Sequence, residues 1–150
     1  MVNFTDSLPY ESGTDLFLVN LEGKIERLTY FTTRKRITTR ERGYTWSPSG
    51  RSIVFWLQRG GYLTPPEPVI VSVKTKAVVS LCETERPPEV RGNPWVSPPA
   101  PVWSPDERFL ALTLVNEEFR QRVILVWLQS GKRWLIADNV SVMGWMMPQP

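Results

Sequence analysis

The most informative segment for the fold is Tyr44-Thr45-Trp46-Ser47-Pro48-Ser49-Gly50-Arg51-Ser52-Ile53-Val54-Phe55-Trp56-Leu57. The same pattern recurs as Pro101-Val102-Trp103-Ser104-Pro105-Asp106-Glu107-Arg108-Phe109-Leu110-Ala111-Leu112-Thr113-Leu114, and a truncated copy follows as Ser141-Val142-Met143-Gly144-Trp145-Met146-Met147-Pro148. The repeated tryptophans Trp46, Trp103 and Trp145 are therefore 57 and 42 residues apart. Repeats of about 40 to 45 residues are typical of chains in which each repeat forms one four-stranded sheet.

A second repeated pattern lies between these copies, at residues 16–29, 69–82 and 123–137. Each copy has a short apolar run, a polar turn and another short run, so each full unit is predicted to be two consecutive hairpins. The outermost run, residues 24–29 for example, alternates charged and apolar residues and is predicted to be a half-exposed edge strand.

The first hairpin of each unit is predicted to close through a Ser-Pro turn. Pro48 or Pro105 presets the backbone angle of this turn, and Gly50 can take a left-handed conformation without a steric cost. The strand after the turn is apolar throughout, which indicates burial on both faces between neighbouring sheets. Trp46 and Trp103 are predicted to lie in the core between those sheets.

Composition agrees with a single all-β domain covering residues 1–150. The chain has 150 residues of which 41% are hydrophobic, enough to bury a core. Its fourteen prolines interrupt most windows in which a helix could form.

At this point the repeats resemble the TolB-like propellers, which are related to WD repeats. The unit of that family has the form Trp-Ser-Pro-Asp-Gly, two apolar strands and an Arg-Leu-Thr ending, and residues 103–106 and 27–29 match it. The resemblance implies a β-propeller of four-stranded antiparallel blades that serves as a scaffold or binding module, and it leaves the ligand open. Ser49 stands where the family prefers Asp. Glu107 stands where it prefers Gly, so we expect strain in that turn, and the basic segment 33–42 has no counterpart.

Counting strands gives about three blades. Two are complete, at residues 44–82 and 101–137, and the third combines residues 2–29 with a lone strand at 141–145. Propellers close with about four to eight blades, so we expect two copies to form a six-bladed ring by exchanging strands. The alternatives are a fragment of a longer propeller, or a structural piece that another protein completes. The faces of Leu16 and Trp145 are expected to lie uncovered at an open end. The candidate residues for the dimer or blade closure are Phe4, Leu16, Leu18, Val142, Met143 and Trp145.

The sequence disfavours most enzyme classes. It has no histidine, which removes imidazole catalysis and most metal ligation, and its single cysteine, Cys82, has no partner for an intrachain disulfide. We therefore expect no cofactor and no metal. A hydrolase or lyase that works with carboxylates alone stays as the less favoured alternative. Its candidate residues are Asp6, Asp15, Asp106, Asp138, Glu117 and Glu118.

A binding or scaffold module, whose ligand is a protein or a small molecule, is therefore the favoured function. The net charge of +3 is too small to favour nucleic acid. We also expect no membrane association and, by default, a cytoplasmic location, because neither a signal peptide nor an apolar run of eighteen residues is present. The candidate partner-binding residues lie in a basic loop, Arg34, Lys35, Arg36, Arg40 and Arg42, and in a proline-rich loop, Arg91 and Trp95.

Overall fold

A computed structural model describes residues 15–31, 39–59, 65–82, 98–116 and 120–146. The described residues form ten strands in three antiparallel sheets. The strands are β1 (Phe17–Val19), β2 (Ile25–Arg27), β3 (Thr39–Trp46), β4 (Ser52–Arg59), β5 (Glu67–Ser72), β6 (Val78–Ser80), β7 (Val102–Trp103), β8 (Phe109–Val115), β9 (Gln121–Trp127) and β10 (Arg133–Asp138).

Two of the sheets have four strands each, and every strand in them pairs with its neighbour in sequence. Their orders are β3-β4-β5-β6 and β7-β8-β9-β10, and the remaining sheet is the pair β1-β2. The expected all-β architecture of four-stranded antiparallel sheets is confirmed. Strand β3 begins at Thr39, so Arg40 and Arg42 belong to this strand, and their assignment to a basic loop is wrong. Pairing with β4 over Thr39–Arg42 explains the strand, because backbone hydrogen bonds satisfy groups that a loop would leave to water.

The second strand of each four-stranded sheet is buried on both faces, as its apolar sequence predicts. In β4, residues Ile53 to Leu57 are at most 1% exposed. Alternate side chains therefore enter two different cores. Ile53, Phe55 and Leu57 face β1 and β2, whereas Val54 and Trp56 join residues of β7, β8 and β9 in the core between the four-stranded sheets.

The outer strands are exposed, as expected of edges. Strand β10 has five exposed residues out of six, and a register shift between Leu135 and Ala137 interrupts its pairing with β9. Such an irregularity increases local twist and makes an edge a poorer template for further pairing.

The two Ser-Pro turns have the same geometry despite their different sequences. Gly50 has a φ of 70° and Glu107 a φ of 58°, so a bulky residue occupies the left-handed position in the second turn. The strain expected at Glu107 is therefore present, at a cost of about 1–2 kcal/mol. Its carboxylate compensates by accepting a hydrogen bond from the Ser49 amide of the other sheet at 2.5 Å.

Candidate blade-closure site

The pair β1-β2 corresponds to the third and fourth strands of a blade. Its turn is closed by a hydrogen bond from the Asn20 amide to the Lys24 carbonyl at 3.1 Å. The equivalent bonds between the third and fourth strands run from Ser72 to Ala77 at 3.0 Å and from Trp127 to Lys132 at 2.8 Å. The chain therefore begins its described part with the outer half of a blade.

This half-blade packs tightly on the neighbouring four-stranded sheet. Leu16 and Leu28 are fully buried in a core shared with Phe55 and other residues of β4 and β5, and Leu18 is partly buried against it. The expectation that Leu16 lies uncovered is therefore wrong. Its side chain covers β4 within the same chain, because that strand has an apolar face on this side as well.

A buried carboxylate fixes the end of the half-blade. Asp15 accepts hydrogen bonds from the Thr29 hydroxyl at 3.0 Å and from the Phe31 amide at 2.6 Å, and it forms an ion pair with Arg27. The Thr29 oxygen in turn accepts from the Leu16 amide at 2.9 Å. The Arg-Leu-Thr ending thus has a structural explanation, and Asp15 is committed to holding the two strands together.

The other described aspartates are also paired with arginines. Asp106 bonds to the Ser104 hydroxyl at 2.7 Å and to Arg108 at 2.6 Å, and these hydrogen bonds lower its pKa to about 2. Asp138 pairs with Arg122 at 3.1 Å. Within the described ranges no cluster of three metal-ligating side chains occurs. Three carboxylate candidates, Asp6, Glu117 and Glu118, lie outside the described residues.

Two carboxylates link neighbouring sheets. Glu26 of β2 pairs with Lys76 of the next sheet at 2.8 Å, which lowers the pKa of the glutamate and raises that of the lysine. Glu107 faces Ser49 and Arg51 across the other join, and the hydrogen bonds from Ser49 are the main reason that its pKa is lowered. These contacts orient the sheets at their exposed ends.

Two of the repeated tryptophans donate a hydrogen bond from the indole nitrogen to a backbone carbonyl of the preceding sheet. Trp103 Nε1 donates to the carbonyl of Thr45 at 3.3 Å, and Trp145 Nε1 donates to the carbonyl of Val102 at 3.5 Å. Thr45 and Val102 each directly precede a repeated tryptophan. Trp145 is therefore placed on the second four-stranded sheet as Trp103 is placed on the first.

A second contact recurs at equivalent positions of β4 and β8, each of which bonds to the segment that follows its sheet. Trp56 Nε1 in β4 donates to the Pro99 carbonyl at 2.8 Å, just before β7. Thr113 occupies the equivalent position in β8, and its hydroxyl accepts a hydrogen bond from the Val142 amide at 3.1 Å. Residues 141–145 thus occupy the position of a first strand in a further blade.

These C-terminal residues nevertheless do not form a strand in the single chain, so the strand predicted at 141–145 is not observed. A strand requires a neighbour of its own sheet, and the chain places none beside this segment within the described residues. Met143 is 92% exposed and Trp145 is 38% exposed, whereas Val142 is half-buried. Residues 141–145 therefore contact the second four-stranded sheet but have no paired strand among the described residues.

The prediction of a core position holds for Trp103 and is wrong for Trp46. Trp103 is 8% exposed, whereas Trp46 is 44% exposed. The sheet β3-β6 covers Trp103. On the corresponding side of Trp46, β1 and β2 supply only outer strands, and no first strand lies there among the described residues.

The proposed partner-binding residues fall outside the part of the chain that the structure describes. These residues are Arg34, Lys35, Arg36, Arg91 and Trp95, and the closure candidate Phe4 lies outside it as well. Trp56, the central residue of the join between the four-stranded sheets, was not predicted as a site residue, although its position within a fully apolar run was a signal.

Comparisons with known proteins agree with this geometry. No protein-family model and no curated protein matches the sequence. Among solved structures, the chain is similar to the crystal structure of TolB from Acinetobacter baumannii, with a TM-score of 0.52 and 17% sequence identity. The chain is a partial β-propeller. The similarity covers 89% of this chain and only 28% of the TolB chain, and at this identity it concerns the fold alone. Among the described residues, no helix is long and apolar enough to cross a membrane.

Proposed function

We propose that the chain is a non-enzymatic propeller module for binding or scaffolding, which completes a six-bladed ring by pairing with a second copy. The complementarity of its two ends carries this proposal. One end supplies the third and fourth strands of a blade, β1 and β2, and the other supplies residues 141–145 at a first-strand position. We expect the second strand from residues 2–5, which lie outside the described residues.

Exposed apolar side chains at both ends support association. Val19 and Ile25 are exposed on the half-blade, and Met143 and Met146 are exposed at the other end. Burying such surface contributes about 25 cal/mol per Å², and pairing a free strand edge also satisfies its backbone groups. Two copies related by a twofold axis would cover both ends at once.

Structural roles for the described aspartates support a module without catalysis. Asp15, Asp106 and Asp138 each pair with an arginine, so none of them is poised as a free acid beside a second carboxylate. Propellers present ligands to rigid loops and to the mouth of the channel. We assign partner binding to Arg34, Lys35 and Arg36, and to Arg91 and Trp95 on the proline-rich segment.

Light scattering over a dilution series tests the assembly. The expected mass is twice the 17.3 kDa of one chain, persisting on dilution. A stable monomer would contradict the homodimer. A stoichiometric complex with a different chain would instead favour the alternative, in which another protein supplies the remaining blades.

Charge reversal tests the binding surface. Immobilised polyglutamate is a suitable acidic probe, and the triple variant R34E/K35E/R36E is expected to lose most of its retention at low salt. The triple variant K24E/K74E/K132E makes the same change in net charge at exposed positions on other turns, so it serves as the control. If both variants lose retention equally, the loss is explained by net charge alone, and the basic segment is not a specific binding site.

A further inference from the structure

The indole-to-carbonyl hydrogen bond is a repeated device that sets the register between blades. In both observed cases the donor is a tryptophan at a first-strand position, Trp103 at the end of β7 and Trp145 in the segment 141–145. The acceptor is the residue directly before the tryptophan of the preceding blade, Thr45 for Trp103 and Val102 for Trp145. The two pairs share one offset, which defines a rule for the repeated tryptophans Trp46, Trp103 and Trp145.

Trp46 is the member of the series that lacks this contact within the described residues. It is 44% exposed, although it ends a first strand just as Trp103 does. By this rule, the acceptor for Trp46 is the backbone carbonyl of the residue directly before the tryptophan of the preceding blade. That preceding blade is the one to which β1 and β2 belong. Among the described residues, Trp145 is the repeated tryptophan whose segment has no outer strands beside it, so Gly144, the residue before it, meets the requirement.

Gly144 is accessible for this role. A Cβ atom added at this glycine would have no heavy atom within 4 Å, so the space around its backbone is open. Its neighbours Met143 and Trp145 are also exposed, while Val142 and Trp145 hold the segment on its own sheet. Gly144 is therefore exposed, and the hydrogen bonds of Val142 and Trp145 hold the backbone on both sides of it.

We propose that the indole of Trp46 in one copy donates a hydrogen bond to the Gly144 carbonyl of a second copy. Residues 141–145 of each copy then form the first strand of the blade whose outer strands are β1 and β2 of the other. This assignment rests on the proposed homodimer and specifies its contact. Twofold symmetry gives two such hydrogen bonds in each dimer.

The substitution Trp46→Phe tests this contact, because it keeps an aromatic ring and removes the N–H donor. Two hydrogen bonds are lost per dimer, so the dimer dissociation constant is expected to rise on the order of 10- to 100-fold. Trp134→Phe is the control, because Trp134 is exposed to a similar extent, 42%, but lies on the outer strand β10. Its dissociation constant is expected to stay within about twofold of the wild-type value.

A second measurement keeps the test valid if Trp46→Phe lowers stability. In protein labelled with 5-fluorotryptophan, the ¹⁹F resonance of Trp46 is identified by its loss in the variant. This resonance is expected to shift between concentrations below and above the dissociation constant, whereas that of Trp134 stays fixed.

If a dimer forms but the dissociation constant of Trp46→Phe is unchanged and the Trp46 resonance does not move, this contact is wrong and the homodimer stands. If no dimer forms at any concentration, the proposed function fails first and this contact with it.

Discussion

The join between the two four-stranded sheets and the two ends of the chain use the same repeat, but only the join is complete. At the join, Trp103 is buried and Trp56 is bonded to the next sheet. At the ends, Trp46 is half exposed and residues 141–145 have no strand beside them within the described residues. The difference shows that a blade of this chain is stabilised from both sides, and that each end still presents the contacts that a neighbouring blade would use.

The largest expected effect comes from breaking the complete join at Trp56. Trp56→Ala removes a side chain that is 1% exposed together with its hydrogen bond to the Pro99 carbonyl. We expect the free energy of unfolding to fall by about 3–5 kcal/mol, measured by urea denaturation. Trp134→Ala on the exposed edge β10 is the control and is expected to cost less than about 1 kcal/mol. Equal losses for the two variants would mean that the join is not the main core.

Removing the C-terminal segment tests an open end without disturbing the join. A variant lacking residues 141–150 loses the contacts of Val142 and Trp145 but keeps every described strand. We expect it to stay folded by circular dichroism and to be monomeric by sedimentation. A variant lacking only residues 147–150 controls for shortening and is expected to form the proposed dimer. Dimers formed equally by both variants would place the association surface elsewhere.

A smaller effect is expected from the carboxylates that link the sheets. The pKa of Glu107 is lowered, so the stability it contributes is present above the unfolded value of 4.5 and is lost as the pH falls through the folded value. The free energies of unfolding of Glu107→Gln and wild type, measured by urea denaturation, should differ near pH 6 and converge at low pH.

Glu26→Gln breaks the exposed pair with Lys76 at the half-blade. Its free energy of unfolding should differ from that of wild type with the same sign, and high salt should remove the difference. A difference that grows on acidification would contradict the sign of these shifts.

Much of the fold could be predicted because the repeat carries several independent signals. The apolar run at 53–57 indicated a strand buried on both faces, and the comparison of Gly50 with Glu107 indicated a left-handed residue in both turns. Each of these predictions depends on local chemistry that one strand or one turn decides by itself.

What could not be predicted depends on neighbours. Trp46 and Trp103 have the same local sequence, but only Trp103 has a complete blade beside it. Leu16 was expected to be uncovered, because the sequence does not reveal that it faces β4. The segment 141–145 has the pattern of a strand, yet a strand forms only beside a partner, and a single chain offers none within its described residues.

Hydrogen exchange of the C-terminal segment tests the shared blade most directly. Amides of residues 141–146 would be followed by mass spectrometry above and below the dissociation constant of the proposed dimer. If this segment is the first strand of a blade completed by the second copy, its exchange slows in the dimer, while exchange in β8, already buried in the single chain, changes little. A dimer in which residues 141–146 exchange as fast as in the monomer would mean that this segment does not form the first strand of a shared blade.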